Sequence, residues 1–199
     1  MLKYYYKNNV IEAGCDEAGR GSLAGPVFGA AVILPYDFSH PLLNDSKKVS
    51  EKKRYVLRQV IETHAIAFGI GMASNTEIDE LNILQASVLA MHRALEKLTI
   101  QPEHIIVDGN RFHNFMNIHY TTIVRGDEKF VSIAAASILA KTYRDDYMKK
   151  LDNEYPDYGW SQNKGYPTRH HRQAIKETGP TSYHRMSFTL LPLQYKIEF

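Results

Sequence analysis

At 199 residues, the chain is long enough to bury one core and too short for a second catalytic domain. Apolar residues make up 44% and charged residues 23%, a globular composition that excludes a disordered chain. The single cysteine, Cys15, excludes an internal disulfide and a four-cysteine zinc site, and a formal net charge of +2 is too small by itself to mark a nucleic-acid binder.

The first half of the chain alternates apolar runs with helical patterns, which predicts a mixed α/β domain. Strands are expected at residues 10–16, 26–34 and 65–73, and the first two should form a hairpin. Ser50 is placed to cap a helix that ends at His64. A second helix is predicted by an apolar stripe of Leu84, Val88, Met91, Leu95 and Leu98.

The second half begins with short strands at 105–107 and 121–124, and continues with a helix from 131 to 151 that should be buried only at its start. Residues 155–168 are expected to form an ordered loop with exposed aromatic side chains, followed by short helices. No stretch reaches membrane-spanning length, and the start lacks the apolar segment of a signal peptide. With one cysteine, these features lead us to expect a cytoplasmic location.

Acidic side chains follow the predicted strands. Asp16 and Glu17 end the first strand, Asp108 follows Ile-Ile-Val, and Asp127 follows a glycine before the long helix. Ligands of α/β sheets gather beyond the carboxyl ends of strands, so these positions favour function. Asp108 could instead form a turn, and Asp127 could cap the next helix. The adjacent pair of Asp16 and Glu17 has no turn or capping role that needs both acids.

Four acids in one cluster would need a cation. Two carboxylates ~4 Å apart repel by roughly 4 kcal/mol at an effective dielectric near 20. Their oxygen donors favour Mg²⁺ or Mn²⁺ over zinc, and a pair of such ions suits phosphodiester hydrolysis. Neighbours on a regular strand point to opposite faces. Asp16 and Glu17 can therefore share a site only if the backbone bends or one of them acts partly through its carbonyl.

The chain resembles the ribonuclease HII family in seven motifs that occur in this order: GCDEAGRGSLAGPV, LNDSKKVSEKKR, EIDELNILQAS, IIVDGNRF, RGDEKFVSIAAASILAKTYRD, GYPTRHH and HRMSF. The resemblance implies a ribonuclease-H-like α/β fold, with a mixed sheet flanked by helices and a small helical C-terminal part. We expect a single domain over residues 1–199, of which about 155–199 form a helical and loop appendage. Type III relatives carry a long N-terminal domain and a different motif after the acidic pair, so type II is favoured.

The resemblance implies an endonuclease that hydrolyses the RNA strand of RNA/DNA hybrids and cuts 5′ of single ribonucleotides in duplex DNA. Its products carry a 3′-hydroxyl and a 5′-phosphate, and its roles are ribonucleotide removal and RNA primer removal. Two Mg²⁺ or Mn²⁺ ions are the expected cofactors. The expected partners are RNA/DNA hybrid and ribonucleotide-containing duplex DNA, with no membrane, no obligate protein partner and a monomeric state.

Residue roles also follow from the resemblance. The catalytic and metal-binding acids would be Asp16, Glu17, Asp108 and Asp127. Gly19, Arg20 and Gly21 match the motif that holds the sugar–phosphate at the RNA-to-DNA junction, and Tyr166 matches the tyrosine that stacks on the following deoxyribose. Candidate phosphate contacts are Ser46, Lys47 and Lys141. No histidine is assigned a role. Three positions depart from the family pattern without removing a ligand: Cys15, Ser22 and Arg125.

Purely structural roles for these residues and two alternative functions stay open. The Gly-Arg-Gly stretch could be a plain hairpin turn, Tyr166 could merely pack on Pro167 or Trp160, and the basic stretches near residues 47–58 and 164–172 could be solvated surface. The rivals are a DNA nuclease or recombinase with a similar acidic cluster, and a non-catalytic nucleic-acid-binding module. Gly-Arg-Gly and Tyr166 argue against the first. The four acids argue against the second, because a binder of phosphates has no reason to gather negative charge.

Overall fold

The computed structural model describes residues 2–43 and 49–192. Their central feature is a five-stranded sheet of β1 (Glu12–Ala18), β2 (Val27–Ile33), β3 (Ala67–Ala73), β4 (His104–Asp108) and β5 (His119–Ile123). The order across the sheet is β3-β2-β1-β4-β5. The first three strands form an antiparallel meander, whereas β4 and β5 run parallel to β1. The carboxyl ends of β1, β4 and β5 therefore lie at one edge.

Helices cover both faces of this sheet. In chain order, the helices are α1 (Glu51–His64), α2 (Asn75–Leu81), α3 (Ile83–Leu95), α4 (Val131–Glu154), α5 (Trp160–Asn163) and α6 (Arg169–Thr178). Of these, α5 and α6 pack with the end of α4 and not on the sheet. Alternate residues of β2 contact different helices: Ala30 and Val32 pack with α1 and α4, and Ala31 and Ile33 pack with α3. Burial on two faces explains why this strand is apolar throughout. The expected mixed sheet flanked by helices is confirmed.

α4 lies directly along β1, which places the end of the strand beside the middle of the helix. The close approach depends on Gly14, because a Cβ there would lie 2.4 Å from the backbone carbon of Ser132. The first ten residues of α4 are almost entirely buried, as expected. The rest of α4 keeps a buried stripe, so the prediction that this end is exposed is wrong for its inward face. None of the helices in the described ranges is long and apolar enough to cross a membrane.

Two expectations about helices near α3 need correction. Leu84 is exposed, so it does not belong to the stripe that packs on the sheet. Leu98 packs against the same core as Val88, Met91 and Leu95, but it lies beyond the end of the helix. α2 was not predicted, although its start carries a capping box in which Ser74 and Glu77 exchange hydrogen bonds. Ser50 does precede α1, but its side chain makes no capping hydrogen bond.

The prediction of an exposed aromatic loop at 155–168 is also wrong for most of its length. Tyr158 and Trp160 are buried, together with Met148 and Leu151 of α4, in a satellite core that Leu23 joins from the β1–β2 connection. These aromatic rings carry large apolar areas, and the segment removes them from water when it folds against α4. The division of the chain into a domain and an appendage from about residue 155 stays a prediction.

Candidate active site

Asp16 and Glu17 lie near the end of β1, which keeps its regular pairing with β2 through Ala18. Successive side chains of a strand point to opposite faces, so the two acids face different helices. Asp16 lies on the α4 side, with the Ser137 hydroxyl as a hydrogen-bond partner. Glu17 borders a pocket that Ser87 of α3 also lines. The two acids therefore converge only at the edge of the sheet, without the backbone bend that a shared face would require.

Burial and like charge act together on these acids. Burial raises the pKa of Asp16 well above its usual value, and the neighbouring Glu17 and Asp108 carboxylates raise this pKa further. Burial also raises the pKa of Glu17, against the opposing effect of the Arg20 guanidinium 3.1 Å away. A cation would be stabilised strongly here, because it would compensate carboxylates that solvent screens poorly.

Asp108 and Asp127 approach the same edge from β4 and from the turn before α4. Asp108 ends β4 beside β1 and accepts a 2.6 Å hydrogen bond from the Gly126 amide. This bond brings the 3₁₀ turn Gly126–Glu128, which contains the buried Asp127, to the end of β4. The interpretation of Asp127 as a helix cap is wrong, because Phe130 is the capping residue of α4.

The donor chemistry of the four acids fits a divalent metal. They offer only carboxylate oxygens, which suit hard ions such as Mg²⁺ and Mn²⁺. Within residues 2–43 and 49–192, no three His, Cys, Asp or Glu side chains are gathered in a way that could already hold an ion. A bound cation would stabilise the ionised form of Asp16, whose pKa is raised first by burial and then by the neighbouring carboxylates.

The Gly-Arg-Gly loop directly follows β1, and its two glycines differ in burial and in what surrounds them. Gly19 is buried with φ of 99°, and a Cβ there would lie 2.0 Å from Nε of Arg144. Gly21 is exposed, and a Cβ on it would lie 3.9 Å from Cε1 of Tyr166. Gly19 thus permits the packing of the loop, and Gly21 leaves space beside the tyrosine ring. The two candidate substrate-reading elements are neighbours.

Tyr166 lies between α5 and α6 with 37% of its surface exposed, and its backbone is held by a buried network. Its carbonyl accepts a 3.0 Å hydrogen bond from Nδ1 of His171. Nε2 of His171 in turn accepts from Nε1 of Trp160 at 3.0 Å and from Nε2 of His184 at 3.2 Å. Nδ1 of His184 accepts from the Thr181 amide at 2.8 Å. These partners assign one neutral tautomer to each imidazole.

The candidate phosphate contacts have different outcomes. Lys141 lies on α4 one turn after Ser137, the partner of Asp16, and pairs with Asp145 at 3.5 Å. It is therefore near the acids and partly exposed. Ser46 and Lys47 lie outside the described residues, so their role stays a prediction.

Only some side chains of the two basic stretches, near residues 47–58 and 164–172, are available to contact a ligand. Arg58 pairs with Glu62 and Asp146, both at 2.7 Å, and thereby joins α1 to α4. In the second stretch, Lys164 is buried and His171 is part of the Tyr166 network, whereas Arg169 and His170 are exposed. Exposed cations of the two stretches include Lys52, Lys53 and Arg169.

Sequence reasoning missed the residues that hold the site together. His171 and His184 were given no role, and Arg144 and Arg185, both fully buried, were not singled out. A signal existed for Arg144, which shares a helical stripe with the apolar residues Ala140, Met148 and Leu151. A charged residue at such a position must find buried hydrogen-bond acceptors. For Arg185 and the histidines, which lie outside long periodic elements, we find no comparable local signal.

Comparisons with known proteins show what the chain is similar to in sequence and in fold. The sequence model of the family described as Ribonuclease HII matches residues 13–191. The chain is similar to the ribonuclease HII of Parabacteroides distasonis, with 62% identity over 199 residues and 100% of both chains covered. Among solved structures, it is similar to ribonuclease HII in a complex with PCNA from Archaeoglobus fulgidus, with a TM-score of 0.73, 25% identity and 93% and 98% of the two chains covered. Bst-RNase HIII in complex with Mn²⁺ gives a TM-score of 0.70 at 15% identity, covering 90% and 67% of the two chains.

Proposed function

Because the chain belongs to the ribonuclease HII family and is a ribonuclease H, we propose that it cuts duplex DNA on the 5′ side of single embedded ribonucleotides as well as the RNA strand of RNA/DNA hybrids. The products would carry a 3′-hydroxyl and a 5′-phosphate. Removal of misincorporated ribonucleotides and of RNA primers, in the cytoplasm, would be the corresponding roles.

The observation that supports this specificity is the adjacency of Gly21 and Tyr166. A Cβ on Gly21 would lie 3.9 Å from Cε1 of the tyrosine ring, and the side chain of the preceding Arg20 reaches Glu17 of the acidic cluster. A backbone that approaches a ribose closely can distinguish its 2′-hydroxyl, and an exposed ring can stack on the next sugar. One phosphate between these two sugars would then lie beside the acids.

Each part of the site contributes separately to the reaction. Asp16, Glu17, Asp108 and Asp127 would hold the divalent ions, Mg²⁺ or Mn²⁺, which is consistent with the Mn²⁺ complex of the HIII neighbour. Two such ions, when bound, supply positive charge to the attacking water and to the leaving oxygen of the phosphodiester. The Gly-Arg-Gly loop orients the ribose, Tyr166 orients the following deoxyribose, and Lys141 is placed to contact a neighbouring phosphate.

The direct test uses four end-labelled duplexes: all-DNA, RNA/DNA hybrid, DNA with one ribonucleotide, and the same DNA with a 2′-O-methyl nucleotide at that position. With Mg²⁺, we expect cutting of the hybrid and of the single-ribonucleotide duplex, the latter 5′ of the ribonucleotide. The 2′-O-methyl duplex controls for recognition of the free hydroxyl. Equal cutting of the all-DNA duplex, or products ending in a 2′,3′-cyclic phosphate, would contradict the proposal.

A further inference from the structure

Arg185 is a buried arginine whose guanidinium binds the backbone of the β1–β2 connection. Its Nη2 donates to the carbonyl of Gly19 at 2.8 Å, its Nη1 to that of Arg20 at 2.9 Å, and its Nε to that of Gly25 at 3.0 Å. The side chain is 0% exposed. All of these acceptors belong to the loop that contains the Gly-Arg-Gly motif, so one side chain from the C-terminal part of the chain sets the path of the loop.

Arg144 makes a second set of contacts that joins this loop to the segment before Tyr166. From α4, its Nε donates to the carbonyl of Pro26 at 2.9 Å and its Nη2 to that of Ala24 at 3.2 Å. Its Nη1 donates to the carbonyl of Lys164 at 2.9 Å. The guanidinium carbon also lies 5.6 Å from the centroid of the Tyr166 ring. Arg144 therefore contacts both substrate-reading elements.

The two guanidiniums are close together in an interior that opposes their charge. Burial lowers the pKa of Arg185 to about 9, with repulsion by Arg144 as the next cause, and burial likewise lowers the pKa of Arg144. Within the described ranges, neither arginine forms a salt bridge with a carboxylate; carbonyl oxygens satisfy both. Ordinary packing needs no such costly pair, because apolar residues of similar volume would serve it better. The two arginines instead fix the backbone geometry of the loop that contains the Gly-Arg-Gly motif.

We infer that Arg144 and Arg185 are positioning residues that set the distance between the Gly-Arg-Gly loop and Tyr166, and hence the selection of a ribose followed by a deoxyribose. By accepting their hydrogen bonds, the loop carbonyls turn inward. The exposed edge of the loop at Gly21 is then presented to the ribose. This inference rests on the proposed function for its substrate, whereas the bracing of the loop stands on the hydrogen bonds alone.

The geometry predicts that an Arg185→Lys variant keeps the charge but loses the planar fork that reaches three carbonyls. We expect hydrogen exchange to increase across residues 19–25. In an Asp108→Asn background, in which cutting should be slowed by more than ~100-fold, the ratio of Kd for all-DNA duplex to Kd for single-ribonucleotide duplex should fall by ~2–10-fold, the scale of one lost hydrogen bond to the 2′-hydroxyl. Arg144→Lys should have the same effect. A folded Arg185→Lys variant with the parent's ratio and exchange would overturn the inference.

Leu57→Ala is the matched control, because Leu57 is fully buried in α1 and packs in the core on the α4 side of the sheet. It should lower the melting temperature and leave the ratio unchanged, and it should speed exchange at residues 19–25 no more than at other amides that exchange on global unfolding. If the arginine variants do not fold, hydrogen exchange of the wild-type chain still tests whether the loop is braced. The amides of Leu23 and Gly25 bond to the carbonyls of Gly165 and Tyr183, so they should exchange only on global unfolding, and fast exchange would overturn the inference. Equal cutting of all-DNA and single-ribonucleotide duplexes by the parent would instead contradict the proposed function and leave the exchange test in force.

Discussion

At the scale of single residues, Gly19 and Gly21 offer a test in which two similar substitutions should affect different properties, stability in one case and cutting in the other. Gly19→Ala places a Cβ at positive φ and against Arg144, so it should lower the free energy of unfolding by at least ~1–2 kcal/mol. Gly21→Ala meets only an ordinary contact with Tyr166 and should leave stability unchanged while reducing cutting at a single ribonucleotide. Urea unfolding and cleavage rates measure the two effects. Equal stability losses would show that the glycines do not differ in role.

Asp108→Asn should separate catalysis from folding. The asparagine side chain keeps an oxygen that can accept from the Gly126 amide, so the contact between β4 and the turn before α4 survives. Loss of one carboxylate from the metal-binding set should reduce the cleavage rate by more than ~100-fold, at least ~2.7 kcal/mol of barrier. Steady-state kinetics and thermal melting test this together. Asp37→Asn, at an exposed acid beyond the opposite end of β2, is the control and should cut normally.

Tyr166 can be tested by keeping or removing its ring. Tyr166→Phe retains a face for stacking and should preserve cutting at a single ribonucleotide. Tyr166→Ala should reduce it by ~10-fold, taking for the sugar the scale of base–aromatic stacking, about 1–3 kcal/mol. Both variants keep the backbone carbonyl that His171 holds, so their melting temperatures should match the parent's. A loss in the phenylalanine variant would instead assign the role to the hydroxyl.

At the scale of elements, the buried imidazoles couple the Tyr166 turn to pH. Burial, and then the neighbouring His171, lower the pKa of His184 from 6.5 to about 4 in the folded chain. The folded state thus favours neutral His184. Its contribution to stability is fully present above pH 6.5 and is lost as the pH falls from about 6.5 through about 4. We expect this loss to exceed about 1.4 kcal/mol, the equivalent of one pKa unit.

Urea unfolding between pH 7 and pH 4 measures this dependence. His184→Gln should flatten the dependence, and His119→Gln, at an exposed position on β5, should not. An unchanged slope in the His184 variant would mean that other groups control acid stability.

At the scale of the whole molecule, metal binding should appear as stability as well as activity. An ion that binds only the folded chain stabilises it by ~2.7 kcal/mol at a concentration 100 times its Kd. Mg²⁺ or Mn²⁺ should therefore raise the melting temperature, and the rise should be smaller in Asp108→Asn. Cleavage in excess chelator, with metal absence confirmed, would contradict the metal-dependent mechanism regardless of the melting data.

The sequence alone determined the family, the class of fold and the positions of the candidate acids. Seven motifs in the family's order are specific for the family, and each can be recognised in the sequence because it is a short, continuous run of residues. The observed starts and ends of β1, β2 and β3 lie within two residues of those predicted, because apolar runs bounded by polar residues or glycine define strands locally. The capping box that begins α2 is also a local signal, because it needs only Ser74 and Glu77, so the sequence carries enough information to predict this helix.

Only the tertiary structure decided how the site is assembled. The separation of Asp16 and Glu17 onto two faces follows from continued pairing of β1 with β2. The burial of Trp160 depends on α4, and the bracing of Gly19 by Arg185 spans 166 residues of sequence. A buried guanidinium is stable only where carbonyl oxygens accept its hydrogen bonds. Here those carbonyls are distant in sequence and come together only in the folded chain. Local sequence patterns therefore carry no information on these contacts.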